Sequence, residues 1–367
     1  MPPQMENTAK SNVLDYESIS NEVSQRFTIL ESFMRSDGAI EYRLSPTKNT
    51  KEDFLMLWKL LKTKGYVPIL KKGETSLNLY VAPYVKQRKK RSIIPIVLFI
   101  ATVIVLLVDG WLNATSSINQ MIFPGWDPLI VTFSYALGFL GILGLHELGH
   151  LLISRKRGMD STVPYFIPGI PGIGFPTLGA IIFATEPMAN HDTQFDVGLS
   201  GPLSGFLVAI IVGVFGVLTS VSMPTGELAK YLEAGQMTTM NVPIIMYLLE
   251  VGFGKISPST DMVMSPIAYA AWFGFLITFL NALPAWQLDG GHMSSSVLSE
   301  GKQKIATLLS AIVMAYLGFT LMAVLVMFFS LGQRSIRPLD DVSVLSKSRK
   351  IMFILMIAIC ILCAPVL

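Results

Sequence analysis

Charge is scarce in this sequence. Asp, Glu, Lys and Arg make up 14% of its 367 residues, against about 25% in an ordinary soluble domain. That excludes an intrinsically disordered chain and, for most of the length, a soluble enzyme of any common class. Cysteine is scarcer still. Cys360 and Cys363 are the two present, both in a terminal apolar run, which excludes a secreted disulfide scaffold. The first residues show neither the apolar stretch of a signal peptide nor an Arg/Ser-rich transit pattern, so internal segments are expected to drive membrane insertion.

What the chain has instead is apolar surface, 51% of its residues. The charge that exists is uneven. Residues 1–91 hold 16 of the 28 Lys and Arg and 10 of the 25 Asp and Glu, leaving 12 and 15 for a remainder three times as long. The first part reads as water-soluble and the rest as membrane-embedded. The net charge of +3 says little beyond this, because the positive excess sits just before the first long apolar segment.

Residues 1–14 read as a mobile polar tail. From Asp15 to Met34, the positions Ile19, Val23, Phe27 and Leu30 recur at helical spacing. Asp37-Gly38 marks a turn, and Ile40, Tyr42 and Leu44 alternate with Glu41 and Arg43 as in a half-buried strand. Thr50 and Asp53 resemble a capping box ahead of Phe54, Leu57, Trp58 and Leu61, one face of a helix that Gly65 can end. Tyr66–Leu70 and Ser76–Val81 read as strands around a turn at Lys71–Glu74. The pattern predicts a small α+β cytoplasmic domain over 15–85, roughly half a ferredoxin-like unit.

Lys86, Arg88, Lys89, Lys90 and Arg91 then precede the apolar run Ser92–Leu112. A bilayer span needs about 20 such residues, and the basic cluster places residues 1–91 in the cytoplasm. Residues 86–127 form a basic linker, this first span and an outside loop. Further spans are expected over Pro128–Ile153, Asp196–Val221 and Pro266–Pro284, within a core of residues 128–300. Arg155, Lys156 and Arg157, and later Lys302 and Lys304, mark the inside again. Parity then forbids full spans at Val163–Phe183 and Asn241–Phe253. The first is dense in Pro and Gly and reads as a re-entrant strand-like loop buried against protein. The second is short and reads as interfacial. In the C-terminal region 301–367, Ile305–Phe329 reads as one span and Ile351–Leu367 as another. The whole is thus a polytopic α-helical membrane protein of about six transmembrane helices. Parity puts the loop near 330–350 outside, against its content of Arg334, Arg337, Lys347, Arg349 and Lys350.

Two of the four histidines stand in His146-Glu147-Leu148-Gly149-His150, an H-E-x-x-H run on the second span. Positions i and i+4 share a helix face, so the two imidazoles can bind one Zn²⁺. Glu147 between them can take a proton from the metal's water. Ionisable groups inside a membrane are costly and functional by default. A hydrolytic zinc site uses three protein ligands. The third candidate is Asp289 in Pro284–His292, at the end of the fourth span, where Gly290-Gly291 frees the backbone. His292 is the alternative ligand, though a cap or supporting role suits it better, and His191 reads as a surface residue. The Lys and Arg pattern puts both the HELGH end and Asp289 on the cytoplasmic side. Gly201, Pro202 and Gly205 offer a close-packing helix surface.

These residues resemble the site-2 protease family of intramembrane zinc metalloproteases. The resemblance rests on HELGH (146–150) and NALPAWQLDGGH (281–292), with TLGA (177–180) and FDVGLSGPLSGF (195–206) beside them. It covers residues 128–300 well. The closest subgroup carries a soluble domain before the membrane core, as in the chloroplast gravitropism-type members and their prokaryotic relatives. Trp286 and Gln287 depart from the small or Pro residues often found there. The resemblance implies zinc held by His146, His150 and Asp289, with Glu147 as general base. It also implies that Asn281 lines the site, where its amide can serve the oxyanion. The implied substrate is the transmembrane segment of a membrane protein, met in the lipid bilayer of the cell membrane; no nucleic-acid partner is expected. The competing class is a non-catalytic metal-binding membrane protein or an inactive homologue that binds membrane segments. Glu147 argues against it, since metal storage needs no carboxylate between two histidines. A prenyl-protein processing protease would use HExxH without Leu-Asp-Gly-Gly.

Overall fold

The computed structural model describes residues 16–35, 38–47, 49–84, 92–172, 174–182, 186–331 and 337–365. The expected tail, Asp37, the basic run from Lys86 to Arg91 and Arg334 lie outside the described residues. The chain divides into two compact units.

The first unit comprises Met1–Lys90 together with Glu186–Gln194 and Ser335–Ser346, two additions that a contiguous division does not anticipate. Helix α1 covers residues 16–24. Strands β1 (Ile29–Met34) and β2 (Ile40–Leu44), helix α2 (Thr50–Thr63), and strands β3 (Tyr66–Lys72) and β4 (Leu77–Pro83) follow. The strands form one antiparallel sheet in the order β1-β2-β4-β3. The helical face of α2 buries Phe54, Leu57, Trp58 and Leu61, and β2 buries Ile40, Tyr42 and Leu44 on one side. Gly65 takes the left-handed φ of +79° just past the C-cap, Lys64.

Three local expectations change. The predicted helix to Met34 stops at residue 24, and Ile29–Met34 is an edge strand paired with β2. The β-branched and aromatic residues there suit a ladder, and Leu30 is exposed rather than part of the core. The capping box is not made: Asn49 is the N-cap, without a side-chain bond, and the Thr50 hydroxyl donates back to the Thr47 carbonyl. His191 is buried, not at the surface.

The two added segments complete this unit. Leu70 N–H donates to Leu339 O at 2.8 Å, and Asp341 N–H returns to Leu70 O at 3.2 Å, so residues 339–341 line the outer edge of β3. Leu339 and Asp340 N–H in turn reach Met188 O and Ala189 O. A covered edge is closed to stray strand pairing. Asp192 accepts from Ser346 N and Oγ and from Lys51 Nζ, and Lys62 pairs with Glu186 at 2.6 Å.

The second unit holds the apolar helices. Helices α3 (Ile94–Thr115), α5 (Pro128–Lys156) and α6 (His191–Thr219) are long and apolar enough to cross a membrane. The first turn of α6 belongs to the first unit. Short α4 (Ser117–Ile122) links α3 to α5. Strands β5 (Tyr165–Ile170) and β6 (Phe175–Ile181) form a hairpin over the Gly/Pro-rich stretch, packed along α3. After α6 come β7 (Val221–Pro224), α7 (Thr225–Glu233), α8 (Ile244–Gly252) and β8 (Thr260–Val263). Here β7 pairs with β8, and Met223 packs with Ile122 and Phe123. Helices α9 (Pro266–Ala282), α10 (Asp289–Ser295), α11 (Glu300–Tyr316), α12 (Thr320–Leu331) and α13 (Lys347–Leu362) complete the unit.

The expected single span over Ile305–Phe329 is instead two helices. Gly318, at φ +91°, ends α11; its N–H bonds to Ala315 O and the Phe319 N–H to Met314 O. This paired pattern is a Schellman stop, and α12 packs back on α11. Residues 337–346 then rejoin the unit that contains the N-terminal domain.

Candidate active site

The second expected span is α5, and the HELGH run lies in its last three turns. The helix ends in another Schellman stop: Gly158, φ +75°, bonds to Arg155 O and Met159 to Ser154 O. His146 and His150 project from one face, and their Nε2 atoms are 3.3 Å apart.

Asp289 reaches them from α10. Its Oδ2 lies 3.2 Å from His146 Nε2 and its Oδ1 3.2 Å from His150 Nε2. Among the described residues, this is the one group of three or more His, Cys, Asp or Glu close enough to share an ion. The spacing fits zinc: a tetrahedral ion with bonds of about 2.0–2.1 Å holds its ligands about 3.3 Å apart. The tautomer fits as well. His150 Nδ1–H donates to Val197 O at 2.7 Å, which leaves Nε2 with its lone pair for a metal.

Glycines make the approach possible. A Cβ on Gly201 would sit 2.0 Å from His150 Nε2, and one on Gly205 3.1 Å from His146 Nδ1. The small face of α6 thus packs directly on the metal-binding rings. Gly149, inside HELGH, would collide with Ser200 O at 2.5 Å, and Ser204 Oγ donates to Leu145 O across the same interface. On the Asp289 side, a Cβ on Gly290 would meet Leu283 O at 2.2 Å and one on Gly291 would meet Ala285 O at 2.1 Å. The preceding loop is tight enough to hold Gln287 at φ +75°, a rare conformation for a residue with a side chain. Helix α11 braces that loop: Thr307 Oγ1 accepts from Trp286 N–H, and Gln303 Nε2 donates to Pro284 O. The departure at Trp286-Gln287 is therefore a buried tryptophan and a strained turn that aim Asp289 inward.

Glu147 is buried beside the two histidines and within electrostatic range of both and of Asp289. His292 lies one turn along α10 but outside the three-ligand group, with Nδ1 buried and without a hydrogen-bond partner. Asn281 is half-buried in the last turn of α9. The structure thus brings together His146, Glu147, His150 and Asp289. Gly149, Val197 O, Gln303 and Thr307 carry supporting roles that motif spacing does not reveal.

Comparison with known proteins agrees with this geometry. The model of peptidase family M50 matches residues 134–325, which spans both halves of the ligand set. The chain belongs to peptidase family M50. It is similar to the probable zinc metalloprotease EGY2, chloroplastic, of Arabidopsis thaliana, at 30% identity over 49% of this chain and 30% of that protein. Oryza sativa subsp. indica EGY2 is 28% identical over 56% and 37%, and Arabidopsis EGY1 is 28% identical over 51% and 33%. The alignments thus span about a third of the length of these relatives. No solved structure matches the chain.

Proposed function

We propose that this M50 member is an intramembrane zinc metalloprotease that cleaves a peptide bond within or near a transmembrane segment of a membrane-protein substrate. The observation that carries this reading is the closure of His146, His150 and Asp289 at ligand spacing, with Glu147 on the same turn, between apolar helices. His146 and His150 would hold the ion through Nε2 and Asp289 through its carboxylate. A bound zinc ion supplies Lewis acidity and lowers the pKa of a coordinated water. Glu147 accepts the proton from the attacking water and returns it to the leaving amine. Asn281 is proposed to donate its amide to the substrate carbonyl. The substrate enters in extended form, because a helical peptide bond is shielded by its own hydrogen bonds, and it pairs with the β5–β6 hairpin edge to edge.

The hairpin supports a re-entrant placement. Phe166 packs on Phe99 near the start of α3, and Gly172 lies at Asp109, about 15 Å further along that helix. In a cell membrane, the basic flanks argue for a cytoplasmic N-terminal domain and a site that opens to the cytoplasmic side. The reading is tested with a reporter membrane protein and the purified chain in lipid. Cleavage should occur, stop with a chelator and return with zinc. Stable zinc binding without any cleavage would favour the non-catalytic alternative.

A further inference from the structure

Helix α3 carries one ionisable residue, Asp109, in an otherwise apolar 22-residue stretch. It is 3% exposed, and both carboxylate oxygens are engaged. Oδ2 accepts from the Tyr135 hydroxyl of α5 at 2.5 Å. Oδ1 accepts from the Gly172 backbone N–H at 2.7 Å. Gly172 is at the tip of the β5–β6 hairpin, in the left-handed conformation at φ +81°. On the other side of the same tip, the Tyr269 hydroxyl of α9 donates to the Gly174 carbonyl. Two membrane-depth helices therefore grip the turn by its backbone, where side-chain identity hardly matters. A buried carboxylate is costly in such surroundings, and none of the metal ligands touches it.

The grip has a geometric consequence. The hairpin is a two-stranded sheet, so β6 has an edge with no strand neighbour among the described residues. It is also the hairpin strand that approaches α5, the helix of His146 and His150. Fixing the tip fixes how far this edge reaches and in what register its N–H and C=O groups stand. A one-residue slip would swap which side chains of a paired segment face the site.

We propose that Asp109 and Tyr269 are positioning residues: they latch the hairpin tip and so hold the free β6 edge in register for an extended, apolar substrate segment. This rests on the peptidase reading above. Asp109→Leu removes both acceptors. It should raise KM for the reporter substrate at least about tenfold while kcat stays within about threefold and zinc content is unchanged. Backbone amides of β6 should exchange with solvent at least about tenfold faster. Asp109→Asn keeps an acceptor for Gly172 N–H and should restore KM to within about threefold of wild type. Tyr269→Phe, nearly isosteric, should shift KM and β6 exchange in the same direction as Asp109→Leu by a smaller factor. Tyr135→Phe spares both tip contacts and should leave β6 exchange at the wild-type rate. Unchanged β6 exchange in both Asp109→Leu and Tyr269→Phe would overturn the latch. So would a Tyr135→Phe effect as large as that of Asp109→Leu, which would make Asp109 a packing residue between α3 and α5. The exchange measurement needs no turnover. A wild-type protein that cleaves nothing would therefore sink the peptidase reading while the latch is still judged by exchange.

Discussion

In residues 16–84, the buried side chains are apolar apart from Thr50: Ile19, Val23, Phe27, Leu44, Phe54, Leu57 and Leu61 are nearly or wholly covered. No charged side chain among the described residues of 16–84 is buried. The apolar-helix unit inverts the arrangement. Ile94, Ile96, Val97, Ile100 and Ile104 of α3 lie exposed, while Thr102 and Asp109 of the same helix are covered. On α5, Leu129, Ile130, Phe133 and Leu137 face outward, and His146, Glu147, His150 and Ser154 face inward. Lipid removes the penalty on apolar exposure and raises the penalty on unpartnered polar groups. A buried polar residue is therefore rare in residues 16–84, and marks a built feature among the apolar helices.

The strongest way to break this contrast is at Gly201. An added methyl would occupy the space of the His150 ring, so Gly201→Ala should lose most of the roughly one zinc per chain that a three-ligand site holds. Gly226→Ala, in α7, meets nothing within 4 Å and should retain full zinc content. Equal metal content in the two variants would show that α6 yields to the ring.

A smaller effect separates the two kinds of surface directly. Leu61 is fully buried and Ile96 is 60% exposed. Leu61→Ala should destabilise its domain by about 2–5 kcal/mol, read as lower resistance to proteolysis and denaturant in the full chain. Ile96→Ala should stay within about 0.5 kcal/mol. A comparable loss at Ile96 would mean that this face of α3 packs on protein rather than lipid.

The smallest effect concerns acid. Burial at Asp341 opposes ionisation, but the hydrogen bond with His191 and the charge of Arg337 outweigh it and hold the carboxyl below its ordinary value. A depressed carboxyl stabilises the fold above its unfolded pKa, about 3.9, and that share is lost as pH falls through the folded value. Asp341→Asn should lower the first unit's stability near neutrality by that share, flatten its acid limb and converge with wild type once the pH lies below the folded value. An unaltered acid limb would remove Asp341 from the account.

Much of the site was legible because its chemistry is local in sequence. HELGH sets two ligands and a base by helical period alone, and the Leu-Asp-Gly-Gly run marks a turn where only glycine fits. The helices starting at Pro128 and Pro266 were legible as apolar runs, and Asp127 and Ser265 cap them. What was not legible depended on partners distant in sequence. The edge strand β1 has a periodicity that passes for helix until β2 lies beside it. The fold-back at Gly318 hides in a stretch whose hydropathy runs on unbroken. The attachment of residues 186–194 and 337–346 to β3 and α2 has no local signature at all. Asp109 did have one, an acid within an apolar span, but its meaning depends on the hairpin tip 63 residues later.

The central claim is that Glu147 works on the attacking water and does not hold the metal. The direct measurement is zinc content and cleavage of a reporter membrane protein, side by side, for wild type and Glu147→Gln. The account predicts about one zinc per chain in both and a loss of turnover of at least about 10²–10⁴-fold in the variant. A Glu147→Gln protein that keeps its zinc and still cleaves near the wild-type rate would contradict it.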